Sequence, residues 1–299
     1  MLLMKLSVAI ICKNEEKLIQ RAIVSVQAAD EIVILDTGST DRTESVVAAL
    51  NLPQVKFIKD SYVWKDDFAD ARNAAMDCCT GDWCLLLDAD DFMAADSIPE
   101  IRAAIAAMPS ARTIDCKILH EKSPDFYFYP KLIRLNAGVR MVGACHEVTS
   151  VRDAGPHAGT MILGYSENHQ NDTGRVLRIM GQMYAADPTN SRTLYYLGRE
   201  HYYRKDDAKA IPLLEACVKC STFLAERADA YLYLARIFWR NQRGCDARAA
   251  CMNALIINAN FREALLFMAT LSFEHNAVRW CEFAEHATNE RVLFVRNPP

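Results

Sequence analysis

The sequence predicts an α/β domain built on a mostly parallel sheet over residues 1–172, followed by an all-α domain of helical repeats over 173–299. Three observations predict it. Short apolar runs alternate with helical spacing through the first half. Strand signal disappears beyond about Asn171. The helical half then repeats its own apolar pattern at a fixed offset.

Taken in order, "LSVAIIC" is an apolar run of strand length, and residues 15–28 carry Leu18, Ile19, Ala22, Ile23 and Val26 at helical spacing. "EIVILD" is a second strand, followed by the turn "TGSTD" and a helix presenting Val46, Val47 and Leu50. "VKFIKD" is a third strand, and a helix from about Phe68 to Cys79 leads into "DWCLLLDAD", a fourth strand that ends in carboxylates. Strands separated by helical crossovers pair in parallel, and such sheets bind ligands beyond the carboxyl ends of their strands. Asp36 and Asp88 occupy two such ends, so both are expected in one crevice.

In the second half, Leu194, Leu197, Gly198, His201, Ala210, Leu214 and Cys217 match Tyr231, Leu234, Ala235, Phe238, Ala247, Cys251 and Ala254 in spacing, 37 residues apart. A third copy opens with Leu265, Met268 and Ala269, and "LRIMGQMYAADPTN" supplies a leading helix that ends at Asp187-Pro188. Helix pairs with small residues where they touch form the tetratricopeptide (TPR) pattern, here without its usual Trp. An unrelated helical bundle is the plainer alternative.

Of the 299 residues, 51% are hydrophobic and 24% charged, which predicts a packed core rather than disorder. The net charge of −4 excludes a protein that coats nucleic acid by bulk charge. Residues 1–172 carry −8 and residues 173–299 carry +4, so an anionic ligand in the first half calls for a cation beside it. Eleven cysteines, an odd number scattered through apolar runs, form no disulfide framework, and a reducing cytoplasm is the expected location. Cys217 and Cys220 form a single CxxC without a second pair, which reads as helix packing. No apolar run approaches the ~20 residues that cross a bilayer. "MLLMKLSVAIIC" lacks a basic start and runs into "KNEE" where a cleavage site belongs, so it reads as a strand and not a leader.

"LLLDADD" delivers Asp88 and Asp90 from one strand end, two residues apart, as hard oxygen ligands for Mg²⁺ or Mn²⁺. An acidic turn after a strand is common, and the triplet alone decides little. Its surroundings decide more. "ICKNEE", "DTGSTDRT" and "DFADARNAAMDCCTGDW", in that order, together with "YPKLIRLN" and "VRMVGACHEV" further on, resemble the family 2 glycosyltransferases of the GT-A fold, in a bacterial branch that often continues into TPR-like helices. The resemblance implies a nucleotide-diphosphate sugar, a UDP-sugar in the first place, as donor, with a divalent cation (Mn²⁺ or Mg²⁺) as cofactor.

It also implies roles. Ile11, Lys13 and Glu15 line the base pocket, and Asp36 accepts from a uracil-like base. Arg72 bridges base and phosphate, Asp88 approaches the ribose and the cation, and Asp90 ligates the cation. His146 contacts the sugar diphosphate and His169 makes a late metal or phosphate contact. Glu147 of "CHEV" is the base that takes the acceptor proton in an inverting displacement. Each role has a plainer competitor. Asp36 caps its own turn, Arg72 pairs with Asp70 or a neighbour, and Asp91 caps the helix at "ADSIPE" instead of supporting the cation. Glu147 orders its loop, for instance through Arg140, and His169 is structural. The branch commonly has Arg where this chain has Lys131, and His-x-Gly where it reads His169-Gln170-Asn171.

The expected acceptor is a peptide, a protein or a glycan. The charge balance argues against a nucleic acid, and the helical half offers a surface for an acceptor, a partner or self-association. A non-catalytic TPR scaffold with a decayed sugar-nucleotide domain is the competing class. The intact Asp36, Arg72, Asp88, Asp90 and Glu147 argue against it. A sugar-nucleotide pyrophosphorylase needs a Gly-rich loop after the first strand, where this chain has "CKNEE".

Overall fold

The computed structural model describes residues 4–120, 123–153, 157–166, 172–272 and 274–287. The chain divides into two compact units, Met1–Arg175 and Val176–Pro299.

In the first unit, β1 (Leu6–Cys12), α1 (Ile19–Ser25), β2 (Glu31–Asp36), α2 (Thr43–Ala49), β3 (Val55–Ile58), α3 (Phe68–Asp77) and β4 (Trp83–Asp88) follow in alternation. The strands lie side by side as β3-β2-β1-β4, all parallel. Val8, Ile10, Ile32, Ile34, Leu85 and Leu87 pack on one side with α1 residues Ile19 and Ile23, while Ala9, Leu35, Cys84 and Leu86 meet Ala75 and Met76 of α3 on the other. Burial on both faces explains why these strands read as continuous apolar runs. Register then positions the chemistry: Cys12 pairs with Asp36 and Ile11 with Asp88, so both carboxylates flank the end of β1.

Helix α1 is shorter than its apolar spacing suggests. The amides of Asn14, Glu15 and Glu16 donate to Ser39 Oγ, Thr43 Oγ1 and Asp41 Oδ2 across the sheet end, so the chain is helical only from Ile19.

Beyond β4 come β5 (Phe92–Met93), α4 (Ser97–Ala107), β6 (Thr113–His120), β7 (Ser123–Arg134), β8 (Met141–Val142), β9 (Val148–Thr149) and β10 (His157–Leu163). These extend the sheet to β3-β2-β1-β4-β7-β6-β10-β5, with β7 antiparallel to both β4 and β6. Four of the seven strand pairings are parallel. Sequence periodicity does not announce β7, because Pro130 and Lys131 interrupt its pattern and the register against β6 slips between Ile114 and Asp115, beside Pro130.

The second unit contains α5 (Arg175–Ala186), which begins at the last residue of the first, and then α6 (Ser191–Tyr203), α7 (Asp207–Cys220), α8 (Leu224–Arg240), α9 (Gly244–Ile257), α10 (Arg262–Thr270) and α11 (Glu274–Glu285). The pairs α6/α7 and α8/α9 are the two repeats legible in the sequence. A Cβ at Gly198 would lie 2.9 Å from Leu214 Cδ2, so glycine allows α6 and α7 to close, and the equivalent Ala235 is fully buried. Cys217 is buried on the packing face of α7. Among the described residues, no helix is long and apolar enough to cross a membrane.

Asp229 on α8 is an unusual core residue. It is fully buried, Tyr195 Oη donates to its Oδ2 at 2.7 Å, and Oδ1 has no hydrogen-bond partner among the described residues. Burial pushes its carboxyl up to about 8, with Glu263 adding to the shift and Tyr195, Arg199 and Arg236 opposing it. The native state therefore holds a proton that the unfolded chain releases near the ordinary carboxyl range. The stabilisation is complete below that range and is lost as pH rises toward 8. The urea midpoint of the helical transition should fall between pH 5 and pH 8, and Asp229→Asn should flatten that dependence. The difference should be on the order of a few kcal/mol, since a tenfold change in proton affinity is worth about 1.4 kcal/mol. An unchanged slope in Asp229→Asn would remove Asp229 as its source.

Candidate active site

The carboxyl end of the sheet is closed on one side by the loop after β1 and the turn after β2. Thr40 N donates to Asn14 Oδ1 at 2.7 Å, which adds to the three amide bonds of residues 14–16. Asp36 is buried and accepts from the Ser39 amide at 3.1 Å on both oxygens, and from Ser39 Oγ at 2.5 Å on Oδ1. These contacts are those of turn capping. Beside it, burial and then the Asp36 charge push the Cys12 thiol far up, so it stays neutral. Ile11 and Glu15 are half-buried at this end of the sheet and Lys13 is exposed.

On the other side, two elements converge on Asp88, and a third joins them through Arg72. Arg72 Nη1 of α3 lies 2.5 Å from Asp88 Oδ1, Arg72 Nε donates to Glu147 Oε1 at 2.5 Å, and Lys131 Nζ of β7 approaches Asp88 Oδ2 at 3.4 Å. Burial works against the charge on each, but the pairing outweighs it. Asp88 is held well below the usual carboxylate range by Arg72 and then Lys131, while Arg72 and Lys131 are both raised, chiefly by Asp88.

Local structure explains why Arg72 arrives there. Asp67 caps α3 by accepting from the Asp70 amide, and the Phe68 amide donates to the Ala144 carbonyl at 2.8 Å. Asn73 pairs with the Met141 backbone in both directions at 2.9 Å. Helix α3 is thus fixed to the loop that carries His146 and Glu147. Tyr129 Oη donates to the Glu147 carbonyl at 2.5 Å. His146 adopts φ +52°, a left-handed conformation that costs a non-glycine residue energy and is typical of segments shaped by function.

The turn after β4 holds the remaining carboxylates. Asp90 Oδ2 accepts from the Ser166 amide at 3.1 Å, and the Asp90 carbonyl accepts from Arg21 Nη2 at 3.1 Å. Asp91 is buried, accepts from the Gly164 amide at 3.0 Å, and is pushed up to about 8 by burial and then by the Asp88 charge. It does not cap α4, whose N-cap is Asp96.

The structure thus brings Arg72, Asp88, Glu147 and Lys131 into one cluster. The competing ion pairs go elsewhere: Asp70 binds Lys65 and Tyr62, and Arg140 binds Asp77. His169 lies outside the described residues. Sequence reasoning gave no role to Tyr129, Arg21, Gly164 or Ser166, whose contacts use backbone amides or single side-chain donors to backbone and loop acceptors and leave no pattern. It flagged Lys131 only as a departure from its relatives.

A divalent cation fits this donor set. No group of three or more His, Cys, Asp or Glu that could hold a metal occurs among the described residues. Mg²⁺-like ions, however, are commonly held by one or two carboxylates completed by substrate phosphates and water. Asp90, a half-buried carboxylate with hard oxygens, is of the type that meets that need. Asp88 is already engaged by two side-chain cations.

Residues 7–157 match the family model described as glycosyl transferase family 2. The glycosyltransferase SunS of Bacillus subtilis is 28% identical over 223 residues, covering 70% of this chain and 52% of SunS, so the chain spans about half the length of that relative. The lipopolysaccharide core biosynthesis glycosyltransferase LpsC of Rhizobium meliloti is 35% identical over 105 residues, 33% of this chain and 37% of LpsC. Among solved structures, residues 1–349 of S. aureus TarS in complex with UDP-GlcNAc match at a TM-score of 0.48 and 14% identity, over 83% of this chain and 90% of that one. With half of its length matched by the family model, the chain belongs to glycosyl transferase family 2.

Proposed function

We propose that the chain transfers a sugar from a nucleotide-diphosphate donor, a UDP-sugar in the first place, to a hydroxyl of a peptide, protein or glycan in a single inverting displacement. The observation that carries this reading is the Arg72 guanidinium, which spans 2.5 Å contacts to Asp88 at the donor-side strand end and to Glu147 on the loop beyond it. Donor-holding and proton-accepting groups are thereby set in one frame. Membership of the family supports the reaction class.

The nucleotide lies across the end of β1, with Ile11, Lys13, Glu15 and Asp36 on its base side and Arg72, Asp88 and His146 toward the diphosphate. Asp90, and His169 further along the chain, are the residues that would hold the cation. A bound Mn²⁺ or Mg²⁺ would neutralise charge on the departing diphosphate. Glu147 Oε1 is fixed by Arg72, so the carboxylate is oriented for the acceptor. As the acceptor oxygen attacks the anomeric carbon, Glu147 takes its proton, and the bond from that carbon to the diphosphate oxygen breaks with the electron pair leaving on the oxygen. Inversion follows from attack opposite the leaving group. The helical unit, with +4 beyond residue 172, serves to dock the acceptor.

A thermal-shift screen of the full chain against UDP-, GDP- and dTDP-sugars, with and without Mn²⁺, tests the donor class, because ligand binding to the folded state raises Tm. UDP-sugars with Mn²⁺ should give the largest rise, and no rise with any sugar nucleotide would overturn the proposal.

Two substitutions separate binding from chemistry. Glu147→Gln keeps an oxygen for Arg72 but removes the proton acceptor, so the single-turnover rate should fall ~10²–10⁴-fold with donor Kd nearly unchanged. Near-normal turnover would rule out Glu147 as the base, and a parallel loss of donor affinity would make it a loop-ordering residue. Asp90→Ala should abolish the Mn²⁺ dependence of UDP binding with the fold intact by circular dichroism. Undiminished Mn²⁺ dependence would exclude Asp90 as the ligand.

A further inference from the structure

The segment just after β10 approaches the Asp90–Asp91 turn more closely than any side chain would permit. A Cβ at Gly164 would sit 1.9 Å from the Asp90 carbonyl oxygen and 2.6 Å from Arg21 Nη2, so only glycine allows this contact. From this position the Gly164 amide donates to Asp91 Oδ1 at 3.0 Å, and the Ser166 amide donates to Asp90 Oδ2 at 3.1 Å. The Ser166 hydroxyl then reaches across to Glu15 Oε2 at 2.9 Å, in the loop after β1. Ser166 is 1% exposed, so this bridge is shielded from solvent. Arg21 braces the far side of the turn through the Asp90 carbonyl and stacks its guanidinium 4.2 Å from the centre of the Phe92 ring.

We propose that Gly164–Ser166 is a clasp in which Ser166 acts as a positioning residue, joining Glu15 of the nucleotide loop to Asp90 of the cation turn so that nucleotide and cation bind cooperatively. The proposal rests on the donor and cation assignment made above. Its physical basis is that one residue contacts both groups with different atoms, its amide on Asp90 and its hydroxyl on Glu15. A nucleotide that fixes the Glu15 loop thereby also fixes the orientation of the Asp90 carboxylate. Coupling of this kind is reciprocal: the cation tightens nucleotide binding by the same factor by which the nucleotide tightens cation binding.

The test uses the full chain, with UDP and Mn²⁺ as probes and calorimetry as readout. The coupling is the UDP Kd measured in EDTA divided by that in saturating Mn²⁺. Ser166→Ala keeps the amide bond to Asp90 and removes the hydroxyl that reaches Glu15. Partners one step behind a metal ligand are typically worth ~10–100-fold, so the coupling should fall roughly tenfold. Glu15→Leu leaves Ser166 in place but offers no acceptor to its hydroxyl, and should weaken the coupling in the same direction. The double variant should be no worse than Ser166→Ala alone, because both act through one hydrogen bond. A merely structural serine would lower Tm and leave the coupling unchanged, and that result, or additive losses in the double variant, overturns the clasp alone. UDP binding by the wild-type chain that ignores Mn²⁺ overturns the cation assignment and the clasp with it.

Discussion

The site depends on one largely enclosed guanidinium shared by two half-buried carboxylates. Arg72 reaches Asp88 and Glu147, which lie 59 residues apart on different elements and would otherwise repel each other in a water-poor space. Taking these charges even partly out of water is costly, and removing one member of such a pair leaves its partner uncompensated. An apolar trio of similar volume could fill the same space without that liability. What an apolar trio cannot do is aim a carboxylate, as Arg72 aims Glu147. Lys131 completes the balance by taking the second oxygen of Asp88, leaving Arg72 able to serve Glu147 as well.

The sheet supplies the precision that such a pair demands. Parallel register sets Asp36 and Asp88 beside the last two residues of β1, so neither carboxylate depends on a mobile loop for its position. The antiparallel strand β7 then brings Lys131 alongside β4, and Tyr129, two residues earlier on the same strand, secures the Glu147 backbone. One strand thus serves both halves of the cluster. Helix α3 does the equivalent on the opposite side, contributing Arg72 directly and gripping the Met141 backbone through Asn73.

How much of this was legible in the sequence follows from how each feature is encoded. Strands β1 to β4 are buried on both faces and announce themselves as apolar runs, and the repeat in the helical half announces itself by its offset. The long β6–β7 hairpin did not, because Pro130, Lys131 and a register slip break any simple period. Arg72, Asp88 and Glu147 were each visible as residues, but their partnership was not. Asp70 and Arg140 looked like equally good ion-pair partners, and only the packing of α3 against the 141–147 loop sends them elsewhere. Asp36 was read with two roles, and its contacts with Ser39 are those of the plainer one. Gly164 and Ser166 left no trace, since a glycine and a serine in a loop carry no periodicity and act through backbone atoms or a single hydroxyl.

The acidity of residues 1–172 looked at first like an obstacle to an anionic donor, and the structure changes that accounting. Formal charge counts every aspartate as −1, yet Asp91 is buried, and burial with the Asp88 charge pushes its carboxyl up to about 8, so it holds a proton far more readily than an ordinary aspartate. Asp88 and Glu147 are matched by Arg72 and Lys131 within the same cluster. The potential met by a diphosphate at the end of β4 is therefore much less negative than the −8 of the sequence suggests. Charge at this site is settled in contacts of 2.5–3.4 Å, whereas carboxylates on the outer surface act through water and are screened within about 8–10 Å. On the proposed reading, a divalent cation at Asp90 would have to neutralise a leaving group and not an entire acidic domain, a far smaller electrostatic task.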